Sequence, residues 1–320
     1  MKIAMLFKKG YDALEQALRE TNCEIVRCGW QETINLDGID AVLVHAEEAL
    51  THLQAMRALK RNKPPGRRVP MIAIDRDAPW HKGVKPWRIW LAQRLALFDV
   101  YATHSLQGAD RFASVALYFP NAADITRYNL GGHTLEDMRP LAWYRYDVSF
   151  LGNLNAERYR EHAPRVAFIQ QLGSRLSGLG ISHFFQHSEH MPVTEQVDII
   201  QHSRINLNYG AACDNGPARS WGLPERCYGI PACGGFLLSD DREHAVRDFV
   251  PGAEWVSFAG LDDCVQKIVY YLEHQAEARE IAERAHRRVM HDHTYATRAA
   301  ALIDVIRQWH AGHAGTENVQ

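Results

Sequence analysis

Short apolar runs alternate with amphipathic helical stretches along almost the whole of this 320-residue chain, and that alternation points to parallel α/β layers. In the first half the candidate strands are KIAMLF (2–7), EIVRC (24–28), AVLVHA (41–46), PMIAID (70–75), DVYATH (99–104) and VALYFP (115–120). Helical spacing falls between them. Leu14, Ala17 and Leu18 share one face of DALEQALRE, and Trp87, Trp90, Leu91, Leu95 and Phe98 line one side of KPWRIWLAQRLALF, a stripe that reads as core. The loop TRYNLGGHTLEDMRPLAWYR then breaks the pattern, and a second series begins: DVSFLG (147–152), ISHFF (181–185), RINLNY (204–209), GFLLS (235–239) and EWVSF (254–258). Two series of similar size predict two Rossmann-like domains facing each other across a cleft, residues 1–140 and 141–295. Residues 276–310 read as a long helical tail. Beyond the second domain, 296–320 comprises a C-terminal helix able to pack back on the first domain and a disordered end over 311–320.

Composition narrows the class. Hydrophobic residues make up 46% and charged residues 23%, ordinary for a globular chain, and a net charge of −2 argues against a whole-molecule polyanion binder. No apolar run approaches the roughly 18 residues of a membrane span, and too few apolar residues precede Lys8 for a signal peptide. Cysteines at 23, 28, 213, 227, 233 and 264 form no C-x-x-C pair, which predicts reduced thiols and a cytoplasmic protein. The charge is uneven, however. Between Gln54 and Arg94 lie eleven Lys and Arg (57, 60, 61, 63, 67, 68, 76, 82, 85, 88, 94) against Asp75 and Asp77 alone, interleaved with Trp80, Trp87 and Trp90.

Open parallel sheets hold ligands beyond the carboxyl ends of their strands. Those positions in the first domain are Lys8 and Lys9, His45, Asp75 with Asp77, and His104; in the second they are Gly152-Asn153, His187, Asn208-Tyr209 and the turn Pro224-Glu225-Arg226. That turn is the most suggestive. Pro224 suits a first helical position, and an arginine there adds a guanidinium to free backbone donors and the positive end of the helix dipole. The combination suits a diphosphate, and Pro231 would limit the helix to about two turns.

The run SRINLNYG…LPERCYGIPACGGFLLSDD…HDHTY resembles the carboxyl-terminal signature of the CgeB-like glycosyltransferases, a branch of the GT-B superfamily. FDVYATHS, LYFPNAAD and YDVSFLGN extend the likeness over about residues 98–296. The resemblance implies a GT-B fold whose second domain binds a nucleotide-sugar and whose first binds the acceptor. Carried over, Arg226 touches the donor diphosphate, Gly152 forms the glycine turn after the first donor-domain strand, and Asn208 ends a strand in the cleft; Asn153, Arg158, Tyr209 and Glu225 complete the donor set. One departure stands out: Gly229 occupies the place of the relatives' ribose-holding Glu. In the first domain IAIDRDAPW resembles a strand that ends near the cleft, which makes Asp77 the first choice as catalytic base or hydroxyl orienter and His45 and His104 the second. Lys8, Lys9, Trp80 and His81 are the acceptor-side candidates.

The expected reaction is transfer of a sugar from a nucleotide diphosphate sugar, UDP favoured, to a hydroxyl, with no cofactor and no metal. Retention is favoured, with the leaving phosphate as base. D-x-D at 75–77 lacks the flanking pattern of a metal-binding GT-A site, the histidines of HFFQHSEH lack a fourth ligand for zinc, and neither a P-loop nor G-x-G-x-x-G occurs. The basic, aromatic segment 54–94 suits either a lipid-linked saccharide at an anionic membrane or a hydroxymethylated base in phage-type DNA. With Gly229 in place of Glu, a catalytically silent nucleotide-binding or scaffold protein is the alternative.

Overall fold

In the computed structural model the described residues are 1–8, 11–32, 34–62, 68–75, 85–104, 106, 109–158, 162–210 and 222–313. They form two compact units, Met1–Pro120 with Tyr295–Gln320, and Asn121–Thr294. The first holds a six-stranded parallel sheet of β1 (Lys2–Leu6), β2 (Glu24–Arg27), β3 (Ala41–His45), β4 (Met71–Asp75), β5 (Val100–Thr103) and β6 (Val115–Tyr118), in the order β2-β1-β3-β4-β5-β6. Its inner strands are buried on both faces, which is why they read as unbroken apolar runs. α1 (Asp12–Glu20) covers it with Leu14, Ala17 and Leu18, as the spacing predicts.

The second unit repeats the plan with five parallel strands, β7 (Tyr146–Gly152), β8 (His183–His187), β9 (Ser203–Asn208), β10 (Leu237–Asp240) and β11 (Val256–Phe258), ordered β11-β10-β9-β7-β8. In both sheets the first strand of the series lies between its second and third. The direction of sheet growth therefore reverses there, and a crevice opens beyond the carboxyl ends of β1 and β3 and of β7 and β9.

The units divide after Pro120, not at residue 140. Segment 121–140 folds with the second sheet because its polar and apolar groups find partners there. Asn121 Nδ2 donates to Leu223 O at 2.9 Å, Ala123 N to His293 O at 2.8 Å, and Arg139 grips Glu283 through two bonds of 2.9 Å. The same attachment splits the expected long tail. α10 (Gln275–Asp292) ends where His293 and Thr294 bridge to Ala123, and α11 (Tyr295–His313) starts anew. α11 packs on α1 in the first unit, with Tyr295 edge-on to Tyr11 and His310 Nε2 against Asp40 O at 2.9 Å. Residues 311–313 continue that helix, so the expected disordered end is shorter by at least those three.

A second difference concerns the tryptophans. α4 (Pro86–Arg94) stops early, and Ala96 adopts φ +43°, so Phe98 belongs to no common stripe with Trp87. Leu91 and Leu95 of the expected stripe do pack on the core, joined there by Ile89 and Ala92 in place of the tryptophans. Trp87 and Trp90 stand outward, 52% and 61% exposed.

In the second unit, α7 (Arg226–Ala232) closes on Gly234 at φ +78°, a backbone region costly to residues with a Cβ. A Cβ there would lie 2.8 Å from Met138 Sδ and 3.1 Å from both Leu130 and Leu135. Gly234→Ala should therefore cost about 3 kcal/mol in urea unfolding of this unit. Gly178→Ala, whose Cβ would meet nothing within 4 Å, should stay within about 0.5 kcal/mol of wild type.

Candidate functional site

The carboxyl edge of the second sheet brings two of the expected donor residues into direct apposition. β7 ends at Gly152, and α7 opens with Arg226. Arg226 Nη1 donates to Leu151 O at 2.9 Å, and its guanidinium carbon lies 5.6 Å from the centre of the Phe150 ring. A Cβ on Gly152 would stand only 2.4 Å from that Nη1 and 2.8 Å from Phe150, so the arginine can occupy its place only because residue 152 has no side chain. Arg226 stays half-buried at the strand end, and Glu225, exposed, precedes it as the N-cap. The helix begins at Arg226, two residues after the proline expected to open it, and runs for seven residues with Pro231 near its end.

Behind this pair lies a second arginine that strand-end reasoning does not reach. α5 (Ala163–Gly178) follows β7, and Arg165 heads its apolar stripe of Phe168, Ile169, Leu172 and Leu176. Its guanidinium takes three carbonyls at once: Tyr209 O at 2.9 Å, Asn153 O at 3.0 Å and Gly210 O at 2.6 Å. It thereby ties the end of β7 to the end of β9 across the switch point. The signal was present in the sequence, since a charged residue in register with a helix's buried stripe needs buried partners.

A third arginine fixes the neighbouring strand. Arg242, 2% exposed, pairs with Asp240 through Nε at 3.1 Å and Nη2 at 2.9 Å, and reaches Gly222 O at 2.8 Å. Asp240 also accepts from Gly210 N at 3.0 Å and, with Ser239, from Asn208 Nδ2 at 2.9 Å. Asn208 is thus turned sideways as a strand-to-strand tie, and its buried Oδ1 has no hydrogen-bond partner among the described residues. Tyr209 is likewise engaged: its ring stacks on Phe168 at 3.8 Å, in the core.

Around the rim, Asn153 Nδ2 and Arg158 Nη1 both reach Glu189 at 3.3 Å, while Leu154 N approaches His187 Nδ1 at 3.0 Å. Gly229 faces inward, where a Cβ would touch the Tyr128 ring at 3.5 Å; Tyr128 in turn donates to Gln196 at 2.9 Å. The space beside the glycine is therefore taken by an aromatic from segment 121–140. Cys227, next to Arg226, is no nucleophile. Burial pushes its thiol up to about 12, with Arg242 opposing.

In the first unit Lys8 follows β1 and His45 ends β3, the two strands that flank the switch point. Lys8 is exposed and its backbone N–H donates to Glu48 at 2.8 Å; the same carboxylate accepts from Trp30 at 2.9 Å. His45 lies edge-on to Phe7 at 6.2 Å. His104 is buried beyond β5, two strand spacings or roughly 10 Å along the sheet, so the two histidines do not form one cluster. Asp75, buried, accepts the Tyr101 hydroxyl at 2.8 Å. Lys9, Asp77, Trp80 and His81 lie outside the described residues.

If Arg165 is the clamp of this edge, Arg165→Ala strands three carbonyls and should cost about 3 kcal/mol in urea unfolding. Amide exchange should accelerate at Gly210 before it does in the sheet interior. Arg165→Lys should recover only part of the loss, since an ammonium cannot span the same three acceptors.

Residues 133–304 match the glycosyl transferase-like family. A search of curated proteins finds no match. Among solved structures, sucrose-phosphate synthase from Thermosynechococcus elongatus is similar at 9% identity and a TM-score of 0.67, over 98% of this chain and 100% of that one. Anabaena Alr3699/HepE in complex with UDP is similar at 12% identity and 0.64, over 96% and 100%. An alpha-glucosyltransferase in complex with UDP and a 13-mer DNA containing an HMU base is similar at 10% identity and 0.58, over 96% and 99%. Two parallel α/β units, a match over the half that holds Arg226 and these neighbours agree: the chain belongs to the glycosyl transferase-like family and is a glycosyltransferase of the GT-B fold.

Proposed function

We propose that this glycosyltransferase, a member of the CgeB-like branch, moves a sugar from a UDP-sugar to a hydroxyl acceptor with retention. In this reading the second unit binds the donor and the first the acceptor. The observation that carries it is the placement of Arg226 against the side-chain-free Gly152, where the sheet's growth reverses. The HepE and alpha-glucosyltransferase neighbours, both solved with UDP, support the choice of nucleotide.

As the glycosidic bond breaks, the sugar takes on oxocarbenium character and the departing diphosphate gains negative charge. A guanidinium already fixed by Leu151 O meets that charge without reorganising, an arrangement worth about 3 kcal/mol per well-placed donor. Arg158, at the rim with Glu189, is the second cation within reach of the strand end. These side chains take the neutralising role that a divalent ion plays elsewhere, and the leaving phosphate serves as base on the sugar's attacked face. His45 and Lys8, at the first unit's switch point, are the described residues we assign to the acceptor hydroxyl. The acceptor is a saccharide, lipid-linked or free; a hydroxymethylated base in DNA is the second choice, favoured by the basic segment 54–94 and the DNA-bound neighbour.

Gly229 supports one other reading, a protein that binds the nucleotide without turning it over, since Tyr128 rather than a carboxylate fills that place. Incubation with a panel of UDP-, GDP- and TDP-sugars separates the two. Release of free UDP from one donor is expected, and no release from any donor would leave only nucleotide binding. Arg226→Ala should lower that rate at least tenfold with an unchanged far-UV spectrum; full activity in the variant would refute the diphosphate assignment. Chelation with EDTA should leave the rate unchanged, and a rate lost to EDTA and restored by a divalent cation would overturn the metal-independent reading.

A further inference from the structure

We propose that the outward face of α4 docks the protein on the surface of an anionic lipid bilayer. The helix shows apolar residues on both sides. Ala92, Ile89 and Leu91 meet the core of the first unit, yet Trp87 and Trp90 point away from it, three residues apart and therefore on one side. Arg94 is exposed one turn after Trp90, and Lys85, the N-cap, is exposed two residues before Trp87. Two half-exposed indoles on adjacent turns are a large apolar area to leave in water, and the indole, an apolar body with a polar N–H, suits the boundary between headgroups and acyl chains.

The helix is also braced for the purpose. Arg88 Nη1 donates to Thr51 O at 3.1 Å and Leu50 O at 3.4 Å, at the end of α2 (Ala46–Thr51), while its guanidinium lies 5.3 Å from the Trp87 ring. That contact holds α4 to the body of the unit and fixes one side of the indole.

Charge selects the kind of surface. Arg57, Arg61, Arg68, Lys85 and Arg94 are exposed among the described residues of this span, and Lys60 and Arg88 are half-buried. The acid described in the span, Asp75, is buried and holds the Tyr101 hydroxyl. The neighbouring acids of α2 are Glu47 and Glu48, and Glu48 is taken by Lys8 and Trp30. Basic residues near an anionic leaflet contribute about 1 kcal/mol each. A bilayer of anionic lipid offers phosphate and an apolar layer together, which is what a tryptophan pair flanked along α4 by Lys85 and Arg94 matches. Phosphate alone gives no reason for the indoles to stand in water. No helix among the described residues is long and apolar enough to cross a membrane, so the attachment would be peripheral.

This inference does not depend on the donor assignment, because α4 belongs to the first unit and docking is measured without turnover. The full chain is sedimented with vesicles of phosphatidylcholine containing phosphatidylglycerol, and with vesicles of phosphatidylcholine alone. Binding is expected to the first, weakened by added salt, and to fall at least tenfold in Trp87→Ala/Trp90→Ala and in Lys85→Glu/Arg94→Glu, while nucleotide release from the donor sugar stays at the wild-type rate. Quenching of tryptophan emission in the unmodified protein by lipids brominated near the headgroup gives a reading that needs no variant. Absence of vesicle binding, binding unchanged in both variants, or absence of quenching would overturn the proposal. Tighter binding to duplex DNA, lost in the same variants, would do so as well, by assigning the face to a nucleic acid.

Discussion

A single missing side chain governs the candidate donor site. Because residue 152 is glycine, the Arg226 guanidinium can lie within hydrogen-bonding distance of Leu151 O and over the Phe150 ring. Everything else at that edge keeps the two elements in register. Arg165 spans the carbonyls that end β7 and follow β9, and the Arg242–Asp240 pair joins β10 to the turn that leads into α7. Both arginines are buried and fully engaged, and a charge in that condition is costly to leave unpaired. The edge is rigid for the same reason that it is charged.

The two units apply one topology to different ends. Each sheet reverses its growth beside its first strand, and each places residues with chemistry at that reversal: Lys8 and His45 in one, Gly152 and Asn153 in the other. Among the described residues, buried charge gathers at the second reversal. The first is held by Glu48, which accepts from a backbone N–H and an indole and leaves the Lys8 ammonium exposed.

Much of this was legible in the sequence, for identifiable reasons. The inner strands were legible because parallel strands buried on both faces are continuous apolar runs, and strand-end logic with the family signature singled out Gly152 and Arg226 separately, without showing that they touch. The errors share a cause, which is tertiary partnership. Segment 121–140 looks like a linker until Asn121, Met138 and Arg139 are seen to have partners in the second unit. The tryptophans of α4 follow a helical period, but period alone does not say which side meets the core, and Ala92 on the opposite side does. Asn208 and Tyr209 sit at a strand end as expected, yet their side chains are turned to Asp240 and to Phe168. Arg165 and Arg242 lie off the strand ends where ligand positions are sought: Arg165 sits in register with the buried stripe of α5 and is held by three carbonyls, and Arg242 follows β10 and is held by the Asp240 carboxylate and Gly222 O.

The order in which the chain supplies its parts has one more consequence. The second unit is continuous, whereas the first is interrupted, with α11 arriving only after the whole of the second has been made. Leu302, Ile303 and Ile306 of that helix are buried, and α11 lies against α1. During synthesis the earlier half precedes its last helix by the full length of the second unit. The α1 side of the first unit is therefore completed only after every residue of the second unit has been joined to the chain.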